Sequence, residues 1–205
     1  MSSTDGTITA ISSEIVIKGR GVYTAYEGTR ASDDLAVGGA AALYLEGGGG
    51  ADTLVASSND DVLIGGAGVN TLTGGASRDN FVFTHFSDSY GNAEGSHSDL
   101  ITDWNAEGRL DLTALGLSLD DLTVSYDAAA DITYVRATQA NSAGNDFEVR
   151  LQGASSQALT SENFIARVDG TASNDVIDLN PSEQSYVINW RGSCKSFPAP
   201  AMALA

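Results

Sequence analysis

Basic residues are scarce in this chain of 205: ten lysines and arginines stand against 27 aspartates and glutamates, a formal net charge of −17. That balance excludes a nucleic-acid binder, which neutralises phosphates with cationic side chains. Cysteine is almost absent as well. The lone Cys194 cannot form an internal disulfide, so rigidity must come from packing or from a ligand. No segment reaches the roughly 18 apolar residues of a membrane span. The opening MSSTDGTITA has neither the basic start nor the apolar stretch of a signal peptide. Neither the HExxH of a zinc protease nor the GxSxG of a lipase or esterase occurs.

Glycine, by contrast, is abundant, and it is periodic. From Gly47 to Val82 four nine-residue units follow without a gap: GGGGADTLV, ASSNDDVLI, GGAGVNTLT and GGASRDNFV. They share the register GGxGxDxUx of a calcium-binding β-roll. The sixth place holds Asp52, Asp61, Asn70 and Asp79, and the eighth Leu54, Leu63, Leu72 and Phe81. Oxygen donors at the sixth place suit a hard cation such as Ca²⁺ and do not suit zinc or copper. Paired glycines permit positive φ and leave carbonyls free to face the ion. A flexible linker has no reason to place a bulky apolar residue at every ninth position. The expected calcium set is Gly48, Gly50, Asp52, Asn59, Asp61, Gly66, Gly68, Asn70, Gly75 and Asp79. Two units make one coil, so turns 18 residues apart should stack: Asp52 with Asn70, and Asp61 with Asp79.

The frame predicts an all-β fold, a right-handed parallel β-roll closed by a strand-rich C-terminal cap. Residues 1–46 read as degenerate leading coils, with TRASDDLAV placing Asp34 at the sixth position and GGAAALYLE placing Leu43 there. Residues 83–170 read as the cap. Its period-two runs DLITDW, RLDLTAL, LTVSY, DITYVRA and FEVRL look like strands, and ALTSENFI like a turn capped by Thr160. GTASNDVID restarts the frame once, with Asp175 as an isolated further ligand, in a trailing region 171–205. A net −17 repels itself until a cation neutralises it, so folding and calcium binding should be coupled. Sites of roughly 10⁻⁴–10⁻³ M affinity fill outside a cell and stay empty within one. The chain is therefore expected to be secreted and extracellular, crossing unfolded, with its export address in the C-terminal tail.

The repeats followed by FVFTHFSDSYGNAEGSHSDLITDW, RLDLTALGL, TYVRATQANSAGNDFEVRLQG and LTSENFI resemble the R-modules of secreted bacterial mannuronan C5-epimerases, over roughly residues 47–178. The resemblance implies type I secretion and a linked catalytic A-module in cis, an isomerase converting mannuronate to guluronate within alginate. It implies that Met1 starts a piece of a longer enzyme. The family's catalytic Asp-Pro-His element is absent, so this chain is expected to be non-catalytic, a monomer with no membrane partner.

An alginate contact needs cations along a groove, ideally guanidiniums gripping carboxylates two-pronged. The candidates are Arg78, Arg109, Arg136 and Arg150, the last two on neighbouring strands. Where the family often carries basic residues, this chain has Gly91 and Asp146. Two alternatives stay open: a calcium-triggered folding and secretion module that touches no polysaccharide, and the repeat region of another RTX exoprotein.

Overall fold

The computed structural model describes residues 14–18, 21–140, 145–154, 159–165, 167–169 and 187–189. Asp175, Cys194 and the tail lie outside the described residues. Each nine-residue unit folds as a turn and a short strand, so alternate units build opposite walls of the coil. One sheet runs in the order Glu14–Lys18, Gly21–Glu27, Leu43–Gly49, Val62–Ala67, Asn80–Val82, Arg109–Asp111 and Phe164–Ile165. The other stacks Asp34–Ala36, Thr53–Val55, Thr71–Thr73, Leu100–Ile101 and Asp146–Gln152, then Tyr90–Asn92 and Gly95–His97. Successive rungs within each wall are parallel, as the fold class requires.

Eighth-place residues meet between the walls. Leu35, Leu45, Leu54, Leu63, Leu72 and Phe81 are each at most 2% exposed and form one cluster. Each three-residue strand carries one buried side chain to this ladder, and the longer Leu43–Gly49 and Val62–Ala67 bury Leu43, Val62 and Ile64 as well.

The leading coil corrects the sequence frame by one residue. Leu35 pairs with Leu54 and Asp34 with Thr53, which puts Asp34 at the exposed seventh place and Asp33 at the sixth. Val37 is the extra residue between the units GTRASDDLA and GGAAALYLE. A one-residue slip turns a strand's side chains to the wrong face, and burial of Leu35 decides against it.

The far end is also longer than the visible repeat. DLITDW and RLDL are coils of the roll, because Ile101 stacks on Leu72 and Leu110 on Phe81. Only the later runs close it. Leu122–Asp127 and Ile132–Ala140 form an antiparallel hairpin on Asp146–Gln152. Phe83 packs edge-on against Phe147 at 5.1 Å, and Thr160 caps the 3₁₀ turn Ser161–Asn163.

Candidate metal centre

Stacking the units aligns their sixth places into two columns, one on each edge of the roll. Along one, the Asp33 amide donates to Asp52 Oδ1 (2.8 Å), the Asp52 amide to Asn70 Oδ1 (2.9 Å) and the Asn70 amide to Asp99 Oδ1 (2.7 Å). Along the other, Leu43 donates to Asp61 Oδ1 (2.6 Å) and Asp61 to Asp79 Oδ1 (3.1 Å). The pairs expected from the 18-residue spacing are thus brought together. Asp52, Asp61, Asn70 and Asp79 are each 1% exposed. Among the described residues no three His, Cys, Asp or Glu side chains converge on one point. The acids are strung out one per rung, so carbonyls must complete any coordination sphere.

Glycine makes the room for that. A Cβ on Gly47 would stand 2.5 Å from Asp52 Oδ2 and 2.6 Å from Gly65 O, and one on Gly74 would stand 2.4 Å from Asp79 Oδ2. Gly48, Gly50, Gly66, Gly68 and Gly75 all have positive φ. Asp52 Oδ2 is buried with no hydrogen-bond partner. A carboxylate oxygen orphaned beside a carbonyl, in a cradle that a side chain would fill, fits a hard cation. The repeats bind Ca²⁺, and Asp52, Asp79 and the Gly47 and Gly74 turns are suited to hold it.

The Asn59 amide and its Nδ2 both donate to Ser57 Oγ, at 3.1 and 3.0 Å. Of the four candidate arginines, Arg78 is exposed and Arg109 half-buried. Arg136 Nε donates to Glu148 Oε2 at 2.6 Å while its guanidinium lies 4.3 Å over the Tyr134 ring. Arg150 donates to Ser98 O at 2.6 Å. Arg136 sits opposite Glu148 and Tyr134 opposite Arg150, so Arg136 and Arg150 share a face. A cavity of about 420 Å³ lies beside them, lined by Gly91, Asn92, Ser96, Tyr134, Arg136 and Asp146 among others. Gly91 and Asp146, both lining it, pair directly across neighbouring strands.

Electrostatics follow from burial. Desolvation pushes Asp52 up to about 6 and Asp79 up to about 7, outweighing the amides of Asp33 and Asp61 that favour the charged forms. Asp61 is raised by the same cause. Glu148 is also opposed by burial, but hydrogen bonds from Ser96, Arg136 and Ser98 together hold it below the usual carboxylate range.

A pH dependence of the metal-free chain follows. Unfolded, Asp52 and Asp79 ionise near 3.8, whereas the roll keeps them protonated to about 6 and 7. Their stabilising protons are fully held below the unfolded value and lost as pH rises through the folded ones. In metal-stripped protein the urea midpoint should therefore fall between about pH 4.5 and 7.5, and saturating calcium, which binds the ionised form, should abolish the fall. A midpoint that rises over this range without metal would contradict the assignment.

Residues 46–81 match the family model of the RTX calcium-binding nonapeptide repeat, in four copies. Over 108 residues the chain is 41% identical to Mannuronan C5-epimerase AlgE5 of Azotobacter vinelandii, and over 98 residues 38% identical to AlgE4. Those stretches are 47% and 44% of this chain but only 11% and 18% of the two relatives. Among solved structures, the AlgE6R2 subunit of the Azotobacter vinelandii epimerase is similar at 34% identity and a TM-score of 0.56, covering 68% of this chain and 91% of that one. The AlgE6R3 subunit is similar at 31% identity and a TM-score of 0.50, covering 78% and 87%.

Proposed function

The chain belongs to the calcium-binding R-modules of the mannuronan C5-epimerases, and from that premise we propose that it is a non-catalytic accessory module. It folds on calcium after secretion and adjusts how a catalytic module linked in cis engages alginate. The observation that carries the alginate contact is the Tyr134–Arg136 pair beside the open cavity. A tyrosine ring with a guanidinium beside it at an open cavity offers a sugar an aromatic contact and a uronate carboxylate a cation. Bound calcium would lower the repulsion between a polyanion and a chain of charge −17.

A second reading has its own support. Glu148 already takes Arg136, Ser98 takes Arg150, and Asp146 adds a negative charge at the cavity. In that reading the module serves calcium-triggered folding and secretion alone, and touches no polymer.

Titrating mannuronate and guluronate oligomers into the calcium-saturated chain separates the two. The first reading expects amide shifts clustered at Gly91, Tyr134, Arg136 and Glu148. Silence there at millimolar oligomer leaves only the second.

A further inference from the structure

We propose that the residue four places before each sixth-place acid selects which turns take calcium, and that Asp99, outside the matched repeats, is one of the calcium ligands. The proposal rests on the calcium reading of the repeats and extends it to residues that the repeat pattern does not mark.

Among the described residues, three turns carry a hydroxyl at the selecting place. Thr29 donates its amide and its hydroxyl to Asp33 Oδ2, at 2.5 and 2.8 Å. Ser57 does the same to Asp61 Oδ2, at 2.7 and 2.9 Å. Thr84 repeats it on Asp88 Oδ2, both at 2.9 Å, and the His85 amide adds a third bond at 2.8 Å. Each of these oxygens is satisfied from within its own turn. The hydroxyl fills the space on the acid that a cation would need.

Glycine at the same place removes that donor. Gly48 precedes Asp52 by four residues and Gly95 precedes Asp99 by four, and both acids keep a buried Oδ2 with no partner. Gly75 stands in the same relation to Asp79. A buried, unpaired carboxylate oxygen is costly unless a cation is its partner.

Asp99 is a sixth-place residue. The unit EGSHSDLIT puts Leu100 against Thr71 and Ile101 against Leu72, so Asp99 stands over Asn70. Asp99 is fully buried, and the Asn70 amide donates to its Oδ1 as the Asp33 amide does to Asp52. Asn70 itself is a poor cation ligand in this setting. Its Oδ1 is taken by the Asp52 amide, which directs Nδ2 to Gly66 O at 3.1 Å. That turn therefore presents N–H where its neighbours present an anionic oxygen. A Cβ on Gly65 would lie 2.6 Å from Asn70 Nδ2 and 2.8 Å from Asp99 Oδ2. Asp99 thus brings into the Gly65 turn the negative oxygen that Asn70 lacks. Burial pushes the Asp99 carboxyl well above the usual carboxylate range; Asn70 and, more weakly, Arg150 pull the other way, and the Arg150 guanidinium bond itself goes to Ser98 O. The donors are oxygens throughout, so the ligand class is a hard divalent cation.

Equilibrium dialysis with radioactive calcium tests this on the whole chain. Asp99→Asn, which keeps the Oδ1 acceptor, should bind one calcium fewer per chain, and Asp88→Asn should leave the number unchanged. An unchanged number for Asp99→Asn, or an equal loss for Asp88→Asn, overturns the proposal. Should Asp99→Asn fail to fold, the unsubstituted chain decides. Replacing its calcium with diamagnetic lanthanum should move the side-chain carboxyl ¹³C resonances of Asp52, Asp79 and Asp99 and leave those of Asp33, Asp61 and Asp88 in place. Movement at Asp52 with silence at Asp99 overturns the proposal alone, and silence at all six acids overturns the calcium reading beneath it.

Discussion

Stripping calcium at pH 8 should unfold the roll from Gly28 to Asp111, with loss of the strand signal in the far-ultraviolet spectrum and collapse of amide dispersion. The columns are the reason. Acids on successive rungs stand about 5 Å apart, the spacing of neighbouring strands. Two ionised carboxylates at that distance repel by about 3 kcal/mol at an effective dielectric constant of about 20. The pairs Asp33–Asp52 and Asp61–Asp79 both face this. Below about pH 6 burial keeps part of the charge off by protonating Asp52 and Asp79, but at pH 8 that relief is gone. A domain stability of about 5–15 kcal/mol does not survive many such terms. Millimolar calcium should restore both signals. A spectrum indifferent to chelation would mean that packing of the leucine ladder suffices, and that calcium is a passenger.

Gly68→Ala should be the most damaging methyl among the described glycines. Gly68 has φ of +133°, and a Cβ there would lie 1.6 Å from the Gly50 carbonyl oxygen on the preceding rung. No rotamer relieves such a clash, because both partners are backbone. Either the rungs separate, breaking the Gly48–Gly66 part of the ladder, or the turn changes conformation and moves its carbonyls. We expect a loss above about 3 kcal/mol, beyond the usual range of point substitutions. Gly38→Ala is the control: its φ is not positive and nothing lies within 4 Å of the added carbon. That variant should stay within about 0.5 kcal/mol of the parent. Urea midpoints in millimolar calcium compare the two directly. Equal midpoints would show that the turns relax freely, which would remove the argument for a preformed cation cradle.

Several features were legible in the chain for a local reason. Leu54, Leu63, Leu72 and Phe81 recur at nine, and the 18-residue offset between alternate turns follows from it, so the stacking of Asp52 with Asn70 needed no coordinates. Asp34 misled because its unit opens on the single Gly28 rather than a glycine pair that would anchor the count, and one added residue, Val37, is invisible until Leu35 is seen against Leu54. Asp99 was hidden for a related reason. Residues 83–93 interrupt the run, and the unit that resumes at Glu94 has a single glycine at its second place. The only sequence signal was Asp99 two residues before Ile101, the same interval as Asp52 to Leu54.

The arginines show the other boundary. Their neighbouring strands were readable from alternation, but the partners that occupy them were not. Arg136 meets Glu148 because the hairpin aligns them, and Arg150 reaches Ser98 across 52 residues of chain.

The sequence by itself determined the roll, its period, its core and its ion, since each unit repeats a turn and a strand whose requirements are met within nine residues. Tertiary structure alone decided which acids are satisfied by their own turn and which are left open. That depends on where a hydroxyl or a missing side chain four residues earlier lies once the turn has closed and the next rung has been laid upon it.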